Sequence, residues 1–130
     1  MHQVLQPPGW ARPKGYANGV VASGRMVFVA GQVGWNAEER FESADFVAQA
    51  RQALANIVAV LAEAGAGSET LVRMTWYVLD KAEYLGAARD LGAAYREVIG
   101  DHFPAMSLVQ VAGLVEEGAR LEIEATAVIP

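Results

Sequence analysis

Hydrophobic positions along this 130-residue chain recur with two periods, and the switches between them predict the order ββ-α-β-α-ββ. In "YANGVVASGRMVFVAGQVG" two short apolar runs flank Ser23-Gly24, which predicts a hairpin by its turn residues. In "ADFVAQARQALANIVAVLAEAG" the residues Val47, Ala50, Leu54, Ile57, Val58 and Leu61 fall at helical spacing. Ser43 is placed to cap that helix, Asp45 suits its first turn, and Gly65 suits its end. "TLVRMTWYVLD" alternates instead, with Val72, Met74, Trp76 and Val78 on one side and Arg73, Thr75 and Tyr77 on the other. Asp80 and Glu83 then have capping-box spacing, with Asp in the Ser/Thr position. Tyr84, Ala88, Leu91, Tyr95 and Val98 make one stripe of a second helix ending at Gly100. Gly86 and Gly92 weaken that helix and are places where it can break in two. "AMSLVQVAGL" and "ARLEIEATAVI" around "VEEG" read as a closing hairpin.

Two amphipathic helices on one face of a mixed sheet define an α+β layer fold. Residues 1–130 read as a single domain, of which 1–15 are expected to be an irregular lead-in because of Pro7, Pro8, Gly9, Pro13 and Gly15. Several strands are apolar on both sides, so the sheet's second face needs a cover. A second copy of the chain is the simplest one, and an oligomer is expected.

Composition narrows the classes. With 53% hydrophobic and 19% charged residues the chain is cohesive and globular, not disordered. The absence of cysteine excludes disulfides and thiolate metal sites. No apolar run approaches the roughly 20 residues of a membrane span, and the N-terminus lacks the pattern of a signal peptide. No membrane partner and a cytoplasmic location are therefore expected. The net charge is −5, and the eight arginines and two lysines form no basic run. Nucleic acid is accordingly not an expected partner.

Candidate chemistry is sparse. His2 and His102 have no ligand cluster around them, so no metal site is expected. No nucleophile elbow, phosphate loop or dinucleotide fingerprint is present. Glu122 and Glu124 share one face of the last strand; either they are a solvated face or one of them acts as a general acid or base in a cleft. Tyr16, with Lys14 and Gly15, precedes the first strand. Trp35 suits a pocket wall or a cap on the core equally well. "HFPAMSLVQV" reads as a helix exit, a proline brake and a strand start, a usual place to present a functional side chain. It offers Met106, which neither ionises nor donates a hydrogen bond.

Six stretches in order, "GYANGV", "MVFVAGQVG", "AQARQALANIVAVLAEAGA", "VRMTWYVLD", "FPAMSLVQVAGL" and "LEIEATAV", resemble the RidA/YjgF family of reactive-intermediate (imine) deaminases, also labelled endoribonuclease L-PSP. The resemblance runs from about Lys14 to Val128. It implies a chorismate-mutase-like fold assembled as a homotrimer with small-molecule clefts between subunits. The implied reaction is hydrolysis of imines formed from enamines, with release of ammonia and without metal or organic cofactor. On this resemblance the cleft is lined by Tyr16, Ala30, Gly31, Trp35, Met106 and Leu108, and Glu122 orients the water.

The chain departs from the family pattern at several of these places. Met106 stands where the family has an arginine that grips the substrate carboxylate, Ala30 where it has a serine, and Gly92 where it commonly has an asparagine. An arginine fork gives two parallel charged hydrogen bonds, and removing one charged contact of that kind costs about 2–5 kcal/mol. The expectation is therefore a deaminase for a substrate other than the usual 2-imino acids, or alternatively a non-catalytic metabolite-binding trimer. Lys14 is a candidate replacement cation. The ribonuclease label conflicts with the acidic charge and with the missing catalytic His or Lys cluster.

Overall fold

The computed structural model describes residues 2–130, and its elements follow the chain in this order. Strands β1 (Gln3–Leu5), β2 (Gly19–Val21) and β3 (Arg25–Val33) lead into helix α1 (Phe46–Glu63). A short 3-10 turn (Ser68–Thr70) precedes β4 (Leu71–Val78), then α2 (Lys81–Gly86) and α3 (Ala88–Val98). β5 (Ala105–Gln110) and β6 (Leu121–Ile129) complete the chain. The main sheet has the order β3-β6-β4-β5, with β4 and β5 parallel and the other neighbours antiparallel.

Helix α1 is held at both ends by its sequence. Asp45 is the N-cap and its carboxylate accepts from the Ala48 amide, 2.9 Å away. Ser43, the expected cap, instead accepts from the Asp45 amide one step earlier. Gly65 takes the left-handed conformation (φ +72°) that lets the chain leave the helix, a backbone state glycine adopts without steric cost. Ala50, Ala53, Leu54, Ile57 and Leu61 are fully buried. They belong to one hydrophobic cluster with Met74, Trp76 and Val78 of β4 and Leu121, Ile123 and Ala125 of β6. The alternation expected along β4 holds from Met74 to Val78; ahead of it Leu71, not Val72, is the buried residue, where the pairing with β6 shifts between Leu71 and Arg73. Polar order inside this layer comes from Gln49, whose amide donates to Ser43 O and Gly118 O and accepts from the Arg120 amide.

The second helix does break, at Ala87 just after Gly86, while Gly92 remains inside α3. Asp80 caps α2 by accepting from the Ala82 amide. Glu83 does not close the capping box, because its carboxylate is paired with Arg120.

Three further sequence expectations are corrected. β2 and β3 do not pair with each other; β2 pairs with β1 and β3 pairs with β6. β5 and β6 do not form a hairpin, since β4 lies between them. The lead-in is not irregular throughout, because Gln3–Leu5 pairs with Gly19–Val21. Side-chain bonds from Asn18 to Gln6 and from Gln6 to Trp10 O and Ala11 O brace the intervening loop. Strand periodicity assigns a face but names no partner, and each of these differences is a choice of partner.

The helices cover one face of the main sheet. On the other, Phe28 is 72% exposed and Met26 58%, beside Arg73, Thr75, Tyr77 and Glu124. No helix of the described residues is long and apolar enough to cross a membrane.

Candidate functional site

Strand β5 is an edge of the main sheet, and the segment before β2 runs alongside its start. Ala17 bridges Ala105 in parallel fashion, and its amide donates to Pro104 O at 3.0 Å. Gly15, at φ +78°, turns the chain into this contact. These bonds bring Tyr16 to the same cleft as Met106.

The turn ahead of Met106 is clamped. The His102 ring meets Leu71 O through Nε2 at 2.8 Å, and Tyr95 donates its hydroxyl to His102 O at 2.6 Å. Tyr95 also stacks on Phe103, with ring centroids 5.2 Å apart. Its burial pushes the phenol well above the usual tyrosine range, so it stays a neutral donor. Pro104 is fully buried. A strand start held in this way fixes the direction in which its side chains leave the sheet.

The register sets Met106 opposite Met74 and Leu108 opposite Trp76, so both lie on the helix-covered face. They form the floor of a cleft of about 580 Å³. Tyr84, Leu91, Gly92, Tyr95 and Arg96 supply the helical wall, and Lys14, Gly15 and Tyr16 the opposite lip. Trp76 is 95% buried at this floor, given a relative exposure of 5%, and its indole N–H has no acceptor among the described residues.

Glu122 stands elsewhere. It pairs in register with Tyr77 and Val33 and alternates with the buried Leu121 and Ile123, which puts it on the uncovered face. There β3 carries an irregularity between Val29 and Gln32, with Ala30 and Gly31 as the residues between. The Glu122 carboxylate lies over Gly31, and a Cβ at position 31 would collide with it. Ala30 lines a shallower hollow of about 430 Å³ with Phe28, Arg73, Thr75, Glu124 and Thr126. Tyr77 donates to Glu124 at 2.6 Å, a bond that raises its phenol pKa, reinforced by desolvation and by the charges of Glu124 and Glu122.

The anticipated residues thus fall into three places. Tyr16, Met106 and Leu108 meet in the cleft together with Lys14. Ala30, Gly31 and Glu122 lie on the other face of the sheet. Trp35 sits in the loop after β3 against Phe41, with centroids 5.7 Å apart, and its carbonyl accepts from Asn56; it lines neither hollow. Arg96 and Tyr84 line the cleft without having been singled out from the sequence. The available signal was the small-residue spacing Ala88, Gly92, Arg96, which opens one strip of α3. No group of three or more metal-ligating side chains occurs among the described residues.

The mixed α+β layer is the fold of solved Rid and YjgF proteins. The chain belongs to the endoribonuclease L-PSP family, the family of RidA and YjgF, which matches residues 10–129. It is 36% identical over 105 residues to a RutC family protein of Haemophilus influenzae, across 81% of this chain and 80% of that one. It is 35% identical over 108 residues to the 2-iminobutanoate/2-iminopropanoate deaminase of Escherichia coli, across 81% and 80% of the two chains. The crystal structure of the Rid family protein YyfB of Yersinia pestis, itself of unknown function, superimposes with a TM-score of 0.84 at 34% identity, covering 98% of both chains.

Proposed function

We propose that this protein is a Rid-type deaminase that hydrolyses an imine or enamine other than the ordinary 2-imino acids, in clefts between the subunits of a homotrimer. Similarity to a protein named for deaminating 2-iminobutanoate and 2-iminopropanoate supports the reaction class. The observation that carries the reading is Met106: it faces the cleft beside Tyr16, so the place given to arginine by the family resemblance is occupied by an apolar side chain.

Tyr16, Met106 and Leu108 bind and shape the substrate, and Glu122 holds the attacking water. In the mechanism, an imine carbon accepts a water hydroxyl and the nitrogen takes the other water proton; the resulting carbinolamine then passes its hydroxyl proton to the amine, which leaves as ammonia as the carbonyl forms. Carboxylate Glu122 fits the first step as hydrogen-bond acceptor for that water. Within one chain Met106 and Glu122 lie on opposite faces of the sheet, so a single ligand can meet both only where one subunit's edge strand abuts another's bare face. The exposed Phe28 and Met26 supply apolar surface for that packing.

The test is a competition assay with freshly generated 2-aminoacrylate trapped by semicarbazide, comparing wild type, Met106→Arg and Glu122→Gln. Wild type is expected to accelerate 2-aminoacrylate little and Met106→Arg markedly, with an imine of larger apolar group turned over by wild type and lost in Glu122→Gln. Activity in neither protein toward any imine would overturn the reading. It would favour a non-catalytic metabolite-binding protein, the second reading, which rests on Met106, Ala30 and Gly92 replacing three polar family positions together.

A further inference from the structure

The charge of the cleft runs against that of the chain. The chain carries −5, yet the residues lining the cleft include two cations, Lys14 and Arg96, and no carboxylate. Ala88, Gly92 and Arg96 follow one another at four-residue spacing on α3, and all three line the cleft. Helical side chains lean toward the N-terminus, over the residue one turn back. Arg96 does so: a Cβ built on Gly92 would lie 3.6 Å and 3.9 Å from its two terminal guanidinium nitrogens. The small residues at 88 and 92 open a trough, and the guanidinium lies in it.

This arginine is uncommitted. The two ion pairs among the described residues are Arg51–Glu97 and Arg120–Glu83, so even the adjacent Glu97 is engaged by another partner. An exposed guanidinium with neither carboxylate nor carbonyl partner among the described residues, beside an apolar floor, retains its full set of donors for a ligand.

We infer that Arg96 is the residue that holds the anionic group of the ligand in this cleft, and that the ligand is a carboxylate attached to an apolar body, aryl or branched alkyl, lying on Met106, Leu108 and Leu91. The inference rests on the proposed small-molecule role of the cleft and deepens it by naming the substrate class. The grip has moved from the strand floor to the helix wall, and the floor position has become apolar contact surface. Arg96 fits the task better than Lys14 because its planar fork matches a carboxylate with two parallel bonds. Lys14, exposed like Arg96, presents a single ammonium with no fixed fork. A volume of about 580 Å³ accommodates a body larger than an ethyl group, within the roughly 300–1,000 Å³ of ordinary small-molecule sites.

Binding of 3-phenylpropanoate and its uncharged amide, followed by calorimetry at low and moderate salt, tests this without requiring turnover. Wild type is expected to bind the carboxylate roughly tenfold or more tightly than the amide, as one charge-assisted fork permits. In Arg96→Gln the two affinities are expected to converge, and in Lys14→Gln most of the preference should remain. Gly92→Leu keeps the charge but fills the trough, and should weaken the carboxylate more than the amide. A preference that survives Arg96→Gln, an equal affinity for both probes in wild type, or no binding of the carboxylate would each overturn the inference. Arg96-dependent binding without turnover of any imine would sink the deaminase reading and leave this one standing; turnover indifferent to Arg96→Gln would do the reverse.

Discussion

At position 31 the side chain is a single hydrogen because the Glu122 carboxylate occupies the space above it. Gly31→Ala must push that carboxylate aside or open the β3–β6 pairing. Because the contact is with the end of a flexible, part-exposed side chain, we expect a loss of no more than about 1 kcal/mol in urea unfolding, with Glu122→Ala restoring most of it in the double variant. Additive losses in the two variants would show that the contact does not govern the site. On the same face, the Tyr77 phenol is raised from 10.0 by its hydrogen bond to Glu124, then by desolvation and nearby acidic charge. A raised folded-state value favours the folded state at and below pH 10, and that contribution fades as the pH climbs through the folded value. In Glu124→Ala the Tyr77 step of an ultraviolet titration should move back down toward 10; an unchanged curve would contradict the bond.

Among the elements, those whose residues decide their own state were legible in advance. The stripe of α1, the alternation of β4 and the break near Gly86 all follow from side-chain period and backbone freedom, which neighbouring residues determine. Partner choice did not follow, because Val20 and Val21 or Ser107 and Val109 present the same alternation to any strand beside them. β1 was hidden for a related reason: three residues ahead of a proline pair carry too short a period to register. In the site, Met106 and Tyr16 could be paired by the family pattern, whereas Arg96 could not. It belongs to the cleft because Gly92 lets it lie back along α3, and that placement depends on how the helix is rolled against the sheet. Leu54, fully buried in α1, tests the element's anchoring. Leu54→Ala should cost about 2–5 kcal/mol by the cavity it leaves, read as a lower urea midpoint. A change below 1 kcal/mol would mean that α1 is not docked by this stripe.

On the scale of the whole molecule, the main sheet is covered on one face and bare on the other, with Phe28 and Met26 outward. The proposed trimer predicts that Phe28→Glu lowers the mass seen by light scattering, since a charge cannot be buried unpaired in an apolar contact without large cost. Met106→Arg and Glu122→Gln should keep the wild-type mass, because both are assigned to the cleft and not to the packing that holds chains together. A wild-type mass of one chain would remove the proposed cover for the bare face.

The sheet that separates Met106 from Glu122 also has a kinetic meaning. If each working centre borrows one half from a neighbour, rate per chain is a property of the population and declines on dilution as assemblies come apart. Chains defective at Arg96 mixed with chains defective at Glu122 would then regain part of their activity after exchange, since some junctions unite two intact halves. A lone chain, however well folded, would possess both halves and never a whole.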